Sequence, residues 1–450
     1  MSLSKLFILG LDSIPPYVLY EGVDGGGFNY LRGLVGESRK YVLKSCHPPI
    51  TVPAWMVLFT GKTPGELGLY GFRHRRAGEF EPYIVSSKSV KEPTLWDIAG
   101  KKKLRSIVFG VPPTYPPKPI NGYLVTDFTT PNPEKTYTWP PWLKKELEQR
   151  FGRMVFDIVY RSHDKDRVAK DLFHMLDQHL KVMEYLVTTK TWDIVVYVEI
   201  AVDRAHHAFW KYFDKRHPRY QEHNVYSKII PEVYRRIDQW FEKLHKKLPK
   251  DTVIVIASDH GVKPMKGSFT INQWLIEQGY LKLREKPSKP GTDLREDMID
   301  WQHTIAWAWG GYYSRIFINL KGREKHGIVE PKYYEETVKQ LKKDIEKIRG
   351  PNGERWDNKV YTPQELYPVA RGDPPDLMVY LDNLSWRPAG TIGWPSNYLP
   401  ENDRGPDDAV HDWYGVFTIY DPEGRVKRGY GGTIDIHEAF KLLIDLLSKA

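Results

Sequence analysis

Residues 253–261 read VIVIASDHG: four β-branched residues and Ala257, then Ser258, Asp259, His260 and Gly261. A short apolar run bounded by turn residues marks a strand buried on both faces, as in a parallel sheet. Open α/β sheets bind ligands beyond the carboxyl ends of such strands. Here an acid and an imidazole stand at that end. The same grammar recurs upstream. Lys5–Leu11 (KLFILGL) runs into Asp12, and Ile194–Glu199 leads into a segment carrying Asp203 and His207. Ser106–Val111 is a fourth run, with Arg315–Leu320 and Leu377–Leu381 as weaker members. Between them, Trp142–Arg150, Asp166–Thr189 and Ser227–Leu248 look helical. Strands alternating with helices predict an α/β fold with a mostly parallel sheet and helices on both faces.

The chain has 450 residues, of which 41% are hydrophobic and 27% charged, so it can bury a sizeable core and is no disordered tract. It shows no internal repeat. The polar stretch Arg284–Glu296 and the Pro-, Gly- and Asn-rich zone Trp386–Asp408 interrupt the pattern. We expect one domain over residues 1–450, with a smaller subdomain inserted at 264–400. The net charge of +9 is mild for this length and calls for no dedicated nucleic-acid partner. A single cysteine, Cys46, excludes an intrachain disulfide and any multi-thiolate zinc site. The opening MSLSKLFILGLDS lacks a small-residue cleavage site, and the later apolar stretch Ile194–Val202 is broken by Glu199. The expectation is a cytoplasmic protein without a membrane anchor. Gly61-Lys62-Thr63 is no P-loop, because the earlier glycine falls at Met56. Gly25–Gly27 reads as a turn.

The candidate chemistry gathers at strand ends. Asp203 and His207 are four residues apart, so on a helix both face one ligand. The neighbour His206 points elsewhere and reads as a packing or surface histidine. His411 closes the loop NDRGPDDAVH (residues 402–411). Asp12, Asp203, His207, Asp259, His260 and His411 make six O/N ligands without thiolate. That set suits two divalent ions with three ligands each, zinc first and manganese or iron as alternatives. Paired ions clamp the attacking and leaving oxygens of a phosphoryl displacement. Thr51, in ITVPAW, stands beside a helix start, where free N–H groups favour an anionic oxygen. It is a candidate nucleophile, and a helix N-cap reading stays open beside it. The aromatic cluster Trp301–Tyr313 could serve a core or a stacking wall.

Five segments, in order, resemble the alkaline phosphatase superfamily, in its type I phosphodiesterase/nucleotide pyrophosphatase branch: GLDS (10–13), PPITVPAW with TGKTPGELG, DRAHHAFW, SDHG (258–261) and GPDDAVH. The resemblance spans nearly the whole chain. It implies a three-layer α/β/α sandwich. It also implies that Asp12, Asp259 and His260 hold one ion, with Thr51 bridging as nucleophile, and that Asp203, His207 and His411 hold the other. The implied reaction is hydrolysis of a small phosphodiester or pyrophosphate, nucleotide-type substrates included, through a phosphothreonine intermediate. Two positions depart from the branch. Leu67 stands where it usually carries His, and Phe72 where an Asn donates to phosphate. Arg73 or Arg75, in RHRR (73–76), could supply that donor. The departure keeps phosphomonoesters and phosphonates open as substrates. A non-catalytic phosphate or polyanion binder is the reading from another class. A sulfatase is discounted, because Cys46-His47-Pro48 lacks that family's small residue and Arg.

Overall fold

Leu6–Leu11 (β1) is buried along its whole length, and its side chains alternate between two cores. Phe7, Leu9 and Leu11 pack with Leu172 and Leu176 of the helix Lys165–Thr189 and with Ile237 and Phe241 of the helix Ile229–His245. Leu6 and Ile8 pack on the opposite face with Trp55 and Phe59 of Thr51–Thr60 and with Ala439 and Leu443 of Ile436–Lys449. Helices therefore cover both faces of one sheet, a three-layer α/β/α sandwich. The computed structural model describes residues 5–22 and 27–449. Met1–Ser4 of the opening stretch and Gly25 and Gly26 of the glycine run lie outside the described residues.

Among the described residues, nine strands form the large sheet. They are β1, β2 (Arg39–Lys44), β3 (Ser106–Phe109), β4 (Gly122–Val125), β5 (Thr138–Trp139), β6 (Ile194–Glu199), β7 (Val253–Ala257), β8 (Tyr414–Tyr420) and β9 (Gly429–Asp435). Their order is β9-β2-β8-β7-β1-β6-β3-β4-β5. Pairing is parallel except where β8 meets β2 and β7 and where β5 meets β4. The three central strands β7, β1 and β6 end level, with Gly10 opposite Ala257 and Leu11 opposite Glu199. Candidate ligands that follow these strands are thereby brought to one edge. Gly10 permits the packing there, since a Cβ would lie 2.7 Å from the Trp55 ring and 2.8 Å from Val198.

Between β7 and β8 the chain leaves the large sheet. Gly261–Pro264 pairs antiparallel with Ala409–Asp412, Val262 opposite His411. The chain between builds a subdomain of two smaller sheets. One joins Gly267–Thr270 with Trp386–Ala389 and Tyr398–Leu399. The other is antiparallel: Ala306–Trp309, Ser314–Ile318, Leu377–Tyr380 and Lys359–Tyr361. Trp307, Ile316, Leu341 and Val379 are in its core. The weaker runs at 315–320 and 377–381 are strands, but of this second sheet, because an apolar run does not disclose which sheet it joins. The zone Trp386–Asp408, read as irregular, contains the strand Trp386–Ala389. Among the described residues no helix is long and apolar enough to cross a membrane.

Candidate active site

Asp12 follows β1, Asp259 and His260 follow β7, and Asp203 and His207 lie on the helix Ala201–Phe209 after β6. His411 arrives on Ala409–Asp412. All six are buried. The three carboxylates share one pattern. Each has one oxygen held by a protein donor and one with no hydrogen-bond partner. Trp55 Nε1 donates to Asp12 Oδ2 at 2.7 Å, and Oδ1 is bare. The Ser13 N–H donates to Asp259 Oδ1 at 3.4 Å, and Oδ2 is bare. Arg204 Nη1 donates to Asp203 Oδ2 at 2.7 Å, and Oδ1 is bare.

The three imidazoles share a pattern too. His260 Nδ1 donates to the Gly261 carbonyl at 2.9 Å, His411 Nδ1 to the Pro49 carbonyl at 2.7 Å, and His207 Nδ1 to Asp407 Oδ1 at 2.7 Å. These acceptors place a hydrogen on Nδ1 and turn Nε2 toward the carboxylates. The Nε2 atoms and the bare oxygens converge. His260 Nε2 is 3.5 Å from Asp12 Oδ1 and 3.3 Å from Asp259 Oδ2. His207 Nε2 and His411 Nε2 lie 3.2 and 3.8 Å from Asp203 Oδ1 and 3.4 Å from each other. The two sets meet where the His260 and His411 rings stack, centroids 3.8 Å apart.

Bare buried carboxylate oxygens are costly unless a cation or donor meets them. Burial, then Asp203, pushes the Asp12 carboxyl well above its usual range, and burial, then Asp12, does the same to Asp259. Burial also opposes the charge on Asp203, yet His207 and Arg204 hold it well below. Burial lowers His260 to about 4 and, with His260, takes His411 well down, so both rings are neutral. His207 goes the other way: against burial, Asp407 and Asp203 push it up to about 10. Its proton and a divalent cation answer the same negative potential. Two groups of these donors could hold a metal ion, Asp12–Asp259–His260 and Asp203–His260–His411, each closing to within 4.8 Å, so His260 is shared between them. His207 Nε2 adjoins the second at 3.2 Å from Asp203 Oδ1.

Thr51 is buried, with Oγ1 3.3 Å from His260 Nε2. It is the first helical residue rather than the N-cap, which is Ile50. Pro53 has no N–H and the Ala54 N–H bonds Ile50, so the Thr51 and Val52 N–H groups are the donors left at this helix start. Above lies a cleft of about 900 Å³, lined by Thr51, Phe72, Arg73, Trp309, Tyr312 and Arg387 among others. Phe72 sits in its wall. Arg73 is exposed on the cleft, whereas Arg75 is buried, both its terminal nitrogens engaged by Glu324, and does not line the cleft. His206 turns into the core, bonded to Ser13 Oγ and the Tyr234 hydroxyl. The aromatic cluster divides: Trp301 and Trp307 are core, while Trp309, Tyr312 and Tyr313 line the cleft.

Four residues went unread in the sequence. Trp55, Asp407, Tyr312 and Arg387 all reach this pole. Asp407 had a signal, an acid four residues before His411 in DDAVH. Trp55, one turn after Thr51, had one too. Tyr312 and Arg387 come from the subdomain, and no spacing connects them to the pole.

The chain belongs to the type I phosphodiesterase/nucleotide pyrophosphatase family, which it matches over residues 6–407, and is thereby a hydrolase acting on phosphoester or anhydride bonds. No curated protein sequence matches it. Solved structures of similar fold include murine ectonucleotide pyrophosphatase/phosphodiesterase 5, an inactive variant in complex with AMP. That match has 12% identity and a TM-score of 0.58, over 99% of this chain and 95% of that one. The human protein of that name matches with 13% identity and a TM-score of 0.57, over the same shares.

Proposed function

We propose that this chain hydrolyses phosphodiester or pyrophosphate bonds with two divalent ions and Thr51 as nucleophile. The observation that carries the reading is the convergence of three bare carboxylate oxygens and three imidazole Nε2 atoms beside the Thr51 hydroxyl. The donor set suits zinc, with manganese or iron as alternatives. Asp12, Asp259 and His260 would hold one ion, and Asp203, His207 and His411 the other. Ions bound there would polarise the phosphoryl group and lower the pKa of a coordinated hydroxyl.

Thr51 Oγ1, its proton released to solvent, attacks phosphorus, forming the Oγ1–P bond as the bond to the leaving oxygen breaks. That oxygen keeps the electron pair and takes up a proton from water. The Thr51 and Val52 N–H groups and the helix start favour the charge on the transferring group. Water then cleaves Oγ1–P and restores the hydroxyl. Arg73 stands where it can meet a phosphate oxygen in place of the family's Asn. A nucleotide-type substrate is supported by the AMP complex of the murine structural neighbour, with Trp309 and Phe72 available for stacking.

The test is turnover of an aromatic phosphodiester and its monoester with zinc or manganese, against Thr51→Ala. Diester turnover lost in the variant, with metal content retained, is the expected result. Turnover near wild type in Thr51→Ala would overturn the mechanism. Faster monoester turnover would favour a phosphomonoesterase, in which Arg73 meets the extra charge.

A further inference from the structure

Thr51 contacts His260, in the first ligand set. On the reading above, displacement is in line, so the leaving oxygen departs toward the second set, Asp203, His207 and His411. The subdomain covers that side. The Tyr312 ring stacks on His411 at 3.9 Å between centroids, and its hydroxyl lies 3.1 Å from His207 Nε2. The Arg387 guanidinium lies over the same ring at 4.4 Å. His411 and Arg387 thus both pack against Tyr312, and all three line the cleft.

Arg387 is only 6% exposed, yet its Nε and Nη1 have no hydrogen-bond partner. Its nearest acid is Asp407, 3.6 Å away. Asp407 already accepts from His207 Nδ1 and, at 2.9 Å, from Arg161 Nε. Arg161 Nη2 in turn donates to the Tyr312 hydroxyl at 2.8 Å. Arg387 and Arg161 both line the cleft. Arg387 thus sits in the cleft wall with two donors that no protein acceptor satisfies within hydrogen-bond distance, one partner short of a charge-assisted pair.

We propose that Arg387, supported by Arg161 and Tyr312, is a subsite for a second anionic group, a phosphate or a carboxylate, carried by the leaving group. The planar fork of arginine matches either group bidentately. This inference rests on the proposed phosphoesterase reading for the direction of displacement. It makes leaving-group charge, rather than the group left on the enzyme, the property that Arg387 reads.

The test compares aryl phosphodiesters whose leaving phenols differ in one substituent: a neutral carboxamide, a carboxylate or a phosphate. The wild type should prefer the anionic members, and the better of the two identifies the group. In Arg387→Gln the ratio of kcat/KM for anionic over neutral substrates should fall about 10- to 100-fold, carried by KM. Arg387→Lys should recover part of it, and Arg428→Gln, far from the cleft, should leave the ratio at the wild-type value. An unchanged ratio in Arg387→Gln, or a wild type without charge preference, overturns the subsite. Calorimetric titration of inorganic pyrophosphate into metal-loaded Thr51→Ala protein, with and without Arg387→Gln and checked for equal Tm, gives a readout without turnover. If no diester is hydrolysed, the phosphoesterase reading falls. Pyrophosphate binding that still weakens in Arg387→Gln then keeps the anion subsite, and binding that does not weaken sinks it.

Discussion

Replacing Asp407 by Asn preserves shape and removes one charge at the point where the second ligand set is braced. Asp407 is fully buried, with Oδ1 2.7 Å from His207 Nδ1 and Oδ2 2.9 Å from Arg161 Nε. An amide has one acceptor oxygen and cannot serve both. With its NH2 toward Arg161, two donors collide. With its NH2 toward His207, the ring must move its hydrogen to Nε2, the atom that faces Asp203. Either choice weakens the site. Losing such a brace typically costs 10- to 100-fold in metal affinity, about 1.4–2.7 kcal/mol. The uncompensated Arg161 and Arg387 add about 3 kcal/mol of lost stability, the low end for a broken buried pair because Arg161 is part exposed. Competition between the protein and a chromophoric chelator, under zinc, reads the affinity directly. Asp408→Asn is the control. Asp408 is equally buried but faces Lys211 at 3.3 Å, so its loss should lower Tm and leave metal affinity within about threefold, short of the tenfold expected of a lost brace. Full two-ion affinity in Asp407→Asn would refute the argument.

Gly10→Ala should lower stability by about 1–3 kcal/mol in denaturant unfolding, because its methyl would meet Trp55 and Val198 below 3 Å; an unchanged midpoint would count against that close approach. Arg75→Met removes the fork on the buried Glu324 carboxylate, which keeps Arg323 Nε at 2.8 Å, and about 1–3 kcal/mol should be lost. Arg75→Met/Glu324→Leu should recover much of that loss, and a double variant no better than the single one would contradict the pairing. Burial lowers His47 and His217 to about 4 and His74 to about 3. These folded values lie below the unfolded value of roughly 6.5, so the unfolded chain binds the protons first as pH falls. Their stabilisation is therefore complete above about pH 6.5 and declines toward pH 4. The Tm of chelator-treated protein at fixed ionic strength should fall over that range; a flat profile would show these rings already protonated in the fold.

The central strands were legible because each buried parallel strand is an uninterrupted apolar run. Lys5–Leu11, Ile194–Glu199 and Val253–Ala257 carry that signal whatever surrounds them. β2 (RKYVLK) and β9 (GYGGTID) were not, because strands near the sheet edge are half solvated and their composition follows water as much as the core. Five of the six candidate ligands were legible for the same reason as the strands, each following a readable strand; His411 closed an irregular loop and stood out only because the others called for a further ligand. The second layer was not legible. Arg387 and Tyr312 meet Asp407 and His411 through a fold whose long-range pairings leave no periodic trace. Arg75 marks the limit of reading by composition, since a cation beside a cleft motif looks the same whether it faces substrate or a buried Glu324.

The short ladder between Gly261–Pro264 and Ala409–Asp412 has a consequence for how such an enzyme diversifies. The chain departs and returns at hydrogen-bonded neighbours, about 5 Å apart as in any antiparallel pair. The span between them is a closed excursion, and the entropy of closing it grows only with the logarithm of its length. Changes in its length thus cost little closure entropy, while the ladder keeps His411 against His260 and pairs such as Arg75–Glu324 tie the excursion back to the main domain. Tyr312 and Arg387 travel with the excursion, and the ligand pole stays behind. If Arg387 reads the leaving group as proposed, that choice and the chemistry of displacement are carried by separate parts of the chain.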